Sequence, residues 1–547
     1  MASFEEQIFV SLEVRTMGTI KKLAGQTIIY GASSMIGRFL NFLLTPIYTL
    51  SAIFTAEQFG IITEMYAYVA FLVVFLTYGM ETAFFRYSTL NKKEGEKVYA
   101  NALYSLTSTT TIFVVLTVIF SQDIADWLRY PEHSEYIIWF AIIVGLDALG
   151  AVPLAKLRQQ GKAKTFALIQ FANVGTNILL NLFYIALIYC THLVENGAVE
   201  LSSFDWLANL VYNTETGQLN GFFDLVYDPK TGVGYVFIAN LIASIVKFLL
   251  LTPTMNFKGE FDWKLLKFMW WYAFPMLFVG LAGIVNETLD RSMLKRMLTN
   301  QFMEEGQSIT DATENSLIQL GIYGANYKIT MFISMFIQAF RYAAEPFFFN
   351  QEKEKNSKHI IAKVMTYFVI VVTVMFLSLD LFLPILKYFT PNPTYWVGLK
   401  VVPILLLANV FLGIFVNLSI WYKLSQKTNY GAYISIMGAT ITIAINFIFI
   451  PLYGYLASAW ATLACYGTMM LVSYFLGQKH YPIPYNLKKI GIYLGLGAVL
   501  FLIKVPFEPS ASYAWYVYLY HLALIMIFIT MAYFLEKPAK KEVLSQP

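Results

Sequence analysis

Fourteen apolar stretches, each long enough to cross a bilayer, occupy nearly the whole chain and are separated by polar segments. A hydrocarbon core about 30 Å thick requires about 20 mostly apolar residues in a helix. Only helices and closed barrels satisfy every backbone polar group inside lipid. The pattern predicts an all-α polytopic membrane protein with about 14 transmembrane helices. The predicted spans are residues 24–50, 61–80, 99–120, 137–154, 166–190, 233–251, 268–289, 317–339, 364–384, 399–421, 430–451, 456–477, 490–505 and 514–535.

The composition agrees with a membrane protein. Hydrophobic residues make up 58% of the chain and charged residues 13%, whereas charged residues are about 25% of an average soluble domain. No polar segment is long enough to form an ordinary soluble domain. The net charge of +4 requires no nucleic-acid partner, because the basic residues follow a pattern that membrane topology explains.

The polar segments alternate in charge along the chain. Most of the 38 Lys and Arg residues lie in the two tails and the even-numbered connections. Because cytoplasmic loops carry the excess of Lys and Arg, both termini are predicted to be cytoplasmic. The longest connection, residues 191–232, is then external. It is acidic, and its two similar turns at 211–217 and 226–232 predict a compact β-flap, with a decorated surface loop as the alternative.

Four short matches in the same order, at offsets of 261 to 267 residues, indicate an internal duplication. They begin at Phe59, Glu81, Lys156 and Asn181 of the first half. Two copies of six helices keep the same orientation and predict two pseudo-symmetric lobes around a central cleft. The predicted organisation is a tail at 1–23, lobes at 24–252 and 253–477, and two added helices with a tail at 478–547.

Two cations lie deep in predicted spans. Arg38 is near the middle of the first span and Lys328 is placed similarly in the eighth. Ionisable residues at this depth line a pathway or pair with one another. Both are therefore candidate substrate-binding residues. The alternative for Arg38 is a buried pair with Asp147 of the fourth span, whereas Lys247 is expected to extend towards the membrane surface.

Each half also places an arginine and a glutamate at the predicted cytoplasmic mouth. Arg86 lies near Glu81, and Arg341 lies near Glu345. Such pairs often only stabilise helix ends. As binding groups, the two arginines and the two deeper cations form a set of donors suited to phosphate oxygens.

A second set of charges lies near the predicted outer ends of the second and seventh spans. It consists of Glu64, Glu287, Asp290 and Arg291. Their mixed signs predict an outer gate, with cation coupling as the alternative. Asp147 is a further candidate for coupling.

The sequence lacks the common motifs of enzyme active sites. It has no phosphate-binding loop, no His-Glu-x-x-His and no Gly-x-Ser-x-Gly. Its five histidines lack metal-ligand spacing, so we expect neither catalysis nor a cofactor. A membrane polymerase or acyltransferase is a distant alternative, because it would need His or Arg in a large external loop, and that loop has only His192 at its edge.

The chain resembles the polysaccharide transporter, or O-antigen flippase-like, family of the multidrug, oligosaccharidyl-lipid and polysaccharide exporter superfamily. The motifs that carry the resemblance are short and spread over the whole chain: Tyr30-Gly31-Ala32-Ser33 through Asn41-Phe42 with Pro46, Phe59-Gly60-Ile61, Tyr78-Gly79-Met80-Glu81 through Arg86-Tyr87, Leu281-Ala282-Gly283 with Asp290-Arg291, and Gly321-Ile322-Tyr323.

The resemblance implies export of an undecaprenyl-diphosphate-linked glycan across a bacterial inner membrane by alternating access. It also implies that cations in the cleft matter, and it suggests other membrane proteins of polysaccharide assembly as partners. A proton- or sodium-coupled multidrug antiporter of the same superfamily is the main alternative. The long connection at 191–232 departs from the family pattern.

Overall fold

The computed structural model describes residues 35–90, 94–196, 205–213, 218–351, 356–508, 511 and 513–537. The predicted tails, the start of the first span, the motif Tyr30–Ser33 and parts of the predicted flap lie outside these ranges, as does the side chain of Glu345. Helices dominate the described residues. In chain order they are α1 (35–42), α2 (Thr45–Tyr48), α3 (Ala56–Thr77), α4 (Met80–Leu90), α5 (Gly95–Ile119), α6 (Ser121–Leu128), α7 (Ser134–Gln159), α8 (Ala163–Glu195), α9 (Asp205–Val211), α10 (Gly221–Val226), α11 (Gly234–Leu251), α12 (Trp263–Glu304), α13 (Ile309–Gln351), α14 (Ser357–Leu381), α15 (Leu383–Leu386), α16 (Val402–Leu418), α17 (Ile420–Leu424), α18 (Asn429–Tyr453), α19 (Tyr455–His480), α20 (Leu487–Leu502) and α21 (Trp515–Glu536).

The predicted class, a polytopic helical membrane protein, is confirmed. Among the described residues, eleven helices are long and apolar enough to cross a membrane. Each predicted span from the second to the fourteenth falls on a helix. The number of fourteen crossings stays a prediction, because three of the predicted spans are not among these eleven helices. Helix α1 adjoins residues outside the described ranges, and α20 has only 16 residues, fewer than the ~20 that a perpendicular crossing needs. Helix α13 is long but is also not one of the eleven.

Two helices are much longer than their predicted spans. Helix α12 has 42 residues and α13 has 43, which at 1.5 Å per residue gives about 63 Å. Both continue through polar sequence, and the helix α12 runs past the predicted end at Leu289 to Glu304. Hydropathy marks only the part of a helix that lies in hydrocarbon, so the polar extensions were not predicted.

The chain divides into two compact units, Met1–Ser292 and Met293–Pro547. In the first, a core of Met80, Phe84, Tyr99 and their neighbours holds α4, α5, α7 and the start of α12 together. In the second, a larger core joins α13, α14 and α16 and extends to the added helices α20 and α21 through Tyr493 and Phe528. The predicted lobe boundary at 252/253 is not tested by this division and stays a prediction.

Two of the predicted spans, the first and the second, are interrupted by a break in the helix. The first apolar stretch is interrupted at residues 43–44, directly before α2, which carries Pro46 in its first turn. Helices α3 and α4 are separated at Tyr78 and Gly79, whose φ angles are 33° and 74°. Glycine adopts this left-handed region without steric cost. A Cβ atom on Gly79 would lie 2.9 Å from the carbonyl oxygen of Ala273 in α12, so the break also allows close helix packing.

Buried asparagines support the predicted duplication. Asn181 in α8 and Asn446 in α18, which the sequence aligns at an offset of 265, are both almost fully buried. Each amide donates to the carbonyl four residues earlier in its helix, at 2.7 and 2.8 Å. Each side-chain oxygen accepts from a hydroxyl on another helix, Tyr48 at 2.6 Å and Ser458 at 2.9 Å. Both amides are thus satisfied by a carbonyl of their own helix and a hydroxyl of another, although the two hydroxyls come from helices that do not correspond in the duplication.

The connection between α8 and α11, hereafter the flap, is mainly helical rather than a β-flap. Its described part contains α9, α10 and a 3-10 turn at Pro229–Thr231. Beside one predicted turn, β1 (Tyr212–Asn213) pairs antiparallel with β2 (Gln218–Leu219). The second copy of the turn sequence forms the 3-10 turn, because Pro229 fixes a helical φ and lacks a backbone donor.

The substitution Gly79→Ala is expected to destabilise the protein by about 1–3 kcal/mol, because a side chain is forced into a left-handed conformation and against the backbone of α12. The midpoint of thermal unfolding in detergent micelles measures this change. Gly175→Ala in α8, where the added Cβ meets nothing within 4 Å, is the matched control and should be neutral or slightly stabilising. Equal midpoints for the two variants would contradict the prediction.

Candidate functional site

Arg38 lies in α1 with its side chain exposed, and it forms no hydrogen bond or ion pair with any residue that the structure describes. The neighbouring Gly37 lies on the packed side of the helix, where an added Cβ would be 2.9 Å from Val174 of α8. The packing of this glycine therefore turns Arg38 outwards from the contact with α8. The predicted alternative, neutralisation of Arg38 by Asp147, is wrong.

A polar seam fixes α1 and α2 against α8. Asn177 donates to Asn41 at 3.0 Å, and Tyr48 donates to Asn181 at 2.6 Å. The side-chain oxygen of Asn173, one turn before Asn177, is buried and has no hydrogen-bond partner among the described residues. Buried polar groups of this kind orient helices in an apolar environment, so the position of Arg38 is set by its helix.

Arg86 is exposed on α4, and its guanidinium lies 4.4 Å from the ring centroid of Tyr272. It makes no ion pair with a described residue. Glu81, its predicted neighbour, instead accepts a hydrogen bond of 2.5 Å from Arg158 of α7. The expected pair of Glu81 with Arg86 is therefore wrong, and Arg158 is a charged residue that sequence reasoning missed.

Arg341 lies half-buried near the end of α13 and lines a small cavity with Asn417 and Lys423. Asn417 is 1% exposed, and neither of its amide atoms has a hydrogen-bond partner among the described residues. Lys328 lies half-buried in the middle of the same helix. The second unit thus places both of its predicted cations on α13.

The first unit contains a cavity of about 420 Å³ at the ends of α4, α5 and α7. Lys156 lines it and forms an ion pair of 2.8 Å with Glu96, over the ring of Tyr99. Phe84 and Lys156 of this cavity match Phe348 and Lys423 of the small cavity at the offsets of the duplication. The cavities therefore occupy corresponding places in the two copies.

Asp147 of α7 binds Lys247 of α11, and Ser244 donates to the same carboxylate oxygen at 3.3 Å. Lys247 is 8% exposed. The side chain of its partner Asp147 is 28% exposed. Lys247 is therefore a buried lysine paired with a half-buried carboxylate and not a lysine that extends to the membrane surface, which corrects the prediction. The two residues are one hundred positions apart, so no local sequence pattern signals their adjacency.

Within the second unit, a buried ion pair joins α14 to the segment that follows α20, the first of the two added helices. Lys504, just after α20, binds Asp380 near the end of α14, whose side chain is fully buried. His521 of α21 is 1% exposed, and neither ring nitrogen has a hydrogen-bond partner among the described residues. Sequence reasoning missed this group because Asp380 lies at the end of an apolar span.

Glu64 is buried in α3, where its two carboxylate oxygens accept hydrogen bonds from Tyr68 at 2.9 Å and Tyr130 at 2.5 Å. The other predicted outer residues lie well inside the long helix α12. Glu287 is exposed, Asp290 is buried and Arg291 is half-buried. Helix α12 continues beyond them to Glu304, and their place in an outer gate stays a prediction.

Outside the predicted spans, Lys97 and Asp262 form a partly exposed charge pair. Lys97 donates to Asp262 at 2.8 Å, and both side chains are about one third exposed. This hydrogen bond lowers the pKa of the Asp262 carboxyl below its ordinary value. The pair differs from that of Asp147 and Lys247 chiefly in its lysine, whose side chain is 30% exposed against 10% for Lys247.

Replacing Asp147 by Asn should lower the free energy of unfolding by about 3 kcal/mol, because the Lys247 ammonium then lacks a carboxylate in a buried site. Adding Lys247→Met should recover most of this loss. Asp262→Asn is the control, with an expected loss of no more than about 1 kcal/mol. Unfolding in mixed micelles measures all three changes. If the double variant were as unstable as Asp147→Asn alone, the pair would not be the cause.

Comparison with known proteins supports the membrane-transporter fold. A family model described as "Polysaccharide biosynthesis protein" matches residues 49–195. No curated protein sequence matches the chain. A structure of the lipid II flippase MurJ in an inward closed conformation has a TM-score of 0.58 at 14% identity and covers 92% of this chain and 99% of its own.

Multidrug transporters have similar structures. An inward-facing multidrug resistance MATE family transporter of the MOP superfamily has a TM-score of 0.55 at 14% identity, covering 83% of this chain and 97% of its own. The MATE multidrug transporter DinF-BH has a TM-score of 0.54 at 16% identity, covering 85% of this chain and 96% of its own. The predicted resemblance to this exporter superfamily is therefore confirmed at the level of the fold.

Proposed function

We propose that this multi-pass membrane protein is a flippase that moves a lipid-linked oligosaccharide, with undecaprenyl diphosphate as carrier, across the bacterial inner membrane by alternating access. The match of residues 49–195 to a polysaccharide biosynthesis family supports this substrate class. The fold likeness to a lipid II flippase supports the reaction type. The excess of Lys and Arg in alternate connections supports cytoplasmic termini.

The observation that carries the proposal is that Arg38 and Arg86 are not neutralised by any described carboxylate. Other cations of the same unit are: Lys247 binds Asp147, and Arg158 binds Glu81. A guanidinium that is held on a membrane helix without a counter-ion is suited to an anionic ligand. Its fork of donors matches phosphate oxygens in a bidentate way.

In this proposal the diphosphate is engaged from the cytoplasmic side by Arg86 and Arg341, and is then held deeper by Arg38 and Lys328. The glycan follows the diphosphate, while the polyprenyl tail remains in the bilayer. Glu287, Asp290 and Arg291 act as a gate on the opposite side. We also propose that other membrane proteins of polysaccharide assembly deliver the substrate or receive the product.

Arg38→Ala should abolish transport of the lipid-linked glycan and remove polyprenyl-diphosphate sugars from the lipids that co-purify with the protein. Arg38→Lys should retain only part of both, because an ammonium cannot bind two phosphate oxygens as a planar fork. Mass spectrometry of the retained lipids and a proteoliposome assay with a polyprenyl-diphosphate oligosaccharide measure the two effects.

The control for this experiment is Lys258→Ala, which removes an exposed cation from the connection before α12. It should bind and transport as the unchanged protein does. The thermal unfolding of all variants should be similar, because Arg38 makes no described contact that its loss would break. Wild-type transport by Arg38→Ala would refute the proposed role of this residue.

A proton- or sodium-coupled multidrug antiporter is the second candidate, and Glu64 is the observation that favours it. Its carboxylate is 2% exposed and held by two tyrosine hydroxyls. Carboxylates buried at membrane depth are often proton or ion carriers. Asp147, the other predicted carrier, is bound by Lys247.

If the antiporter proposal is right, cells that overproduce the protein become resistant to cationic dyes and lose this resistance with Glu64→Gln. Tyr130→Phe should weaken the resistance without abolishing it, since one hydrogen bond to the carboxylate remains. The minimum inhibitory concentration of a cationic dye measures both effects. Resistance that is unaffected by Glu64→Gln would rule out this residue as the carrier.

A further inference from the structure

The flap is held rigidly on the ends of two membrane helices. The hydroxyl of Thr191 in α8 lies 2.8 Å from that of Tyr212 and 2.9 Å from that of Tyr227. Tyr184 of α8 stacks on Tyr235 of α11 with ring centroids 4.3 Å apart. The flap therefore has a defined position relative to both helices.

The two short helices of the flap are also fixed to each other. The backbone N–H of Asn220, just before α10, donates to the carbonyl of Val211 at 2.8 Å. Its side-chain amide donates to the carbonyls of Asn209 and Leu210, both at 3.2 Å. The end of α9 thus lies directly beside the start of α10.

This junction carries four large apolar side chains that are mostly exposed. Trp206 is 63% exposed, Leu210 55%, Phe222 63% and Leu225 85%. The flap buries a separate set of residues against α8, including Ala208 and Val211. Contiguous exposed apolar side chains on an ordered segment indicate an interaction surface.

The length of α8 places this surface at the membrane boundary. The helix begins at Ala163, between Lys162 and Lys164, and a hydrocarbon core needs about 20 helical residues. Counted from Lys164, such a segment ends near Tyr184. The flap packs against the next residues of the helix, Leu187 to Leu193. By this count, these residues lie at the depth of the lipid headgroups. Tryptophan and tyrosine are enriched at this depth.

The spanning part of α8 also carries exposed apolar side chains. Leu179 is 69% exposed and Leu182 is 42% exposed. The described part of the flap contains Asp205, Asp224 and Asp228 but only one basic residue, Lys230. A surface of this charge gains nothing from anionic lipids, so its attraction to a membrane must come from apolar burial.

We propose that Trp206, Leu210, Phe222 and Leu225 insert into the headgroup region of a zwitterionic lipid leaflet at the flap end of α8. The flap is then an interfacial anchor between α8 and α11. It holds the ends of both helices at a fixed depth in the bilayer. This inference rests on the membrane-spanning fold and is independent of the transported substrate.

A fluorescence experiment with single cysteines tests the depth of the flap. Both natural cysteines, Cys190 and Cys465, are buried, so a cysteine placed at an exposed position is the one that reacts. Phe222→Cys and Leu225→Cys are labelled with an environment-sensitive fluorophore and reconstituted in phosphatidylcholine vesicles. Both labels should emit at shorter wavelength than in denaturant and be quenched by nitroxide-labelled lipids.

Lys230→Cys is the matched control, because Lys230 is an exposed charged residue of the same flap and lies in its 3-10 turn rather than in α9 or α10. Its label should be quenched by aqueous iodide and little by lipid nitroxides. Addition of phosphatidylglycerol to the vesicles should leave the results for Phe222 and Leu225 unchanged. If iodide quenched these two labels as strongly as the control, the flap surface would face water, and a soluble protein partner would replace lipid as its ligand.

Discussion

The structure depends on one constraint: a charge on a membrane helix must be neutralised by a partner or have access to water or a polar ligand. Three pairs meet it inside their own unit: Asp147 with Lys247, Glu81 with Arg158, and Asp380 with Lys504. Each pair joins helices that are distant in sequence, so the pairs also fix which helices are neighbours. Arg38 and Arg86 meet the constraint in another way, since no described carboxylate neutralises them, and this difference separates structural charges from candidate binding charges.

The same requirement for satisfied polar groups explains what the two copies of the duplication share. Asn181 and Asn446 each donate to their own helix and accept from a hydroxyl on another. An apolar replacement at either site would leave the partner hydroxyl without an acceptor, which costs about 1–3 kcal/mol in a buried place. Buried amides therefore keep the matching positions recognisable where the surrounding apolar residues, which only need to fill space, have diverged.

The sequence was sufficient for the helical membrane class and for the position of almost every span, because apolar runs of this length have no other stable structure in lipid. It was also sufficient for strand pairing in the flap, where Tyr212–Asn213 pairs with Gln218–Leu219. It was insufficient for the ends of α12 and α13, because their polar extensions lie outside hydrocarbon. It was insufficient for the charge pairs as well. Arg86 lies five residues from Glu81, yet the partner of Glu81 is Arg158 of α7, and only the packing of α4 on α7 determines this choice.

The helix break at Tyr78 and Gly79 is the clearest difference between the copies. At an offset of 264 the corresponding residues are Tyr342 and Ala343, which lie inside the continuous helix α13. Alanine favours a helix by about 1 kcal/mol over glycine, so a change at this one position alters the local preference. The break separates α4, which carries Arg86, from α3, which carries Glu64, whereas Lys328 and Arg341 share one rigid helix. The two copies therefore differ in how they place their charged side chains: in one, these lie on two helices separated by a break, and in the other they lie on one continuous helix, because an alanine stands where the first copy has a glycine with a positive φ angle.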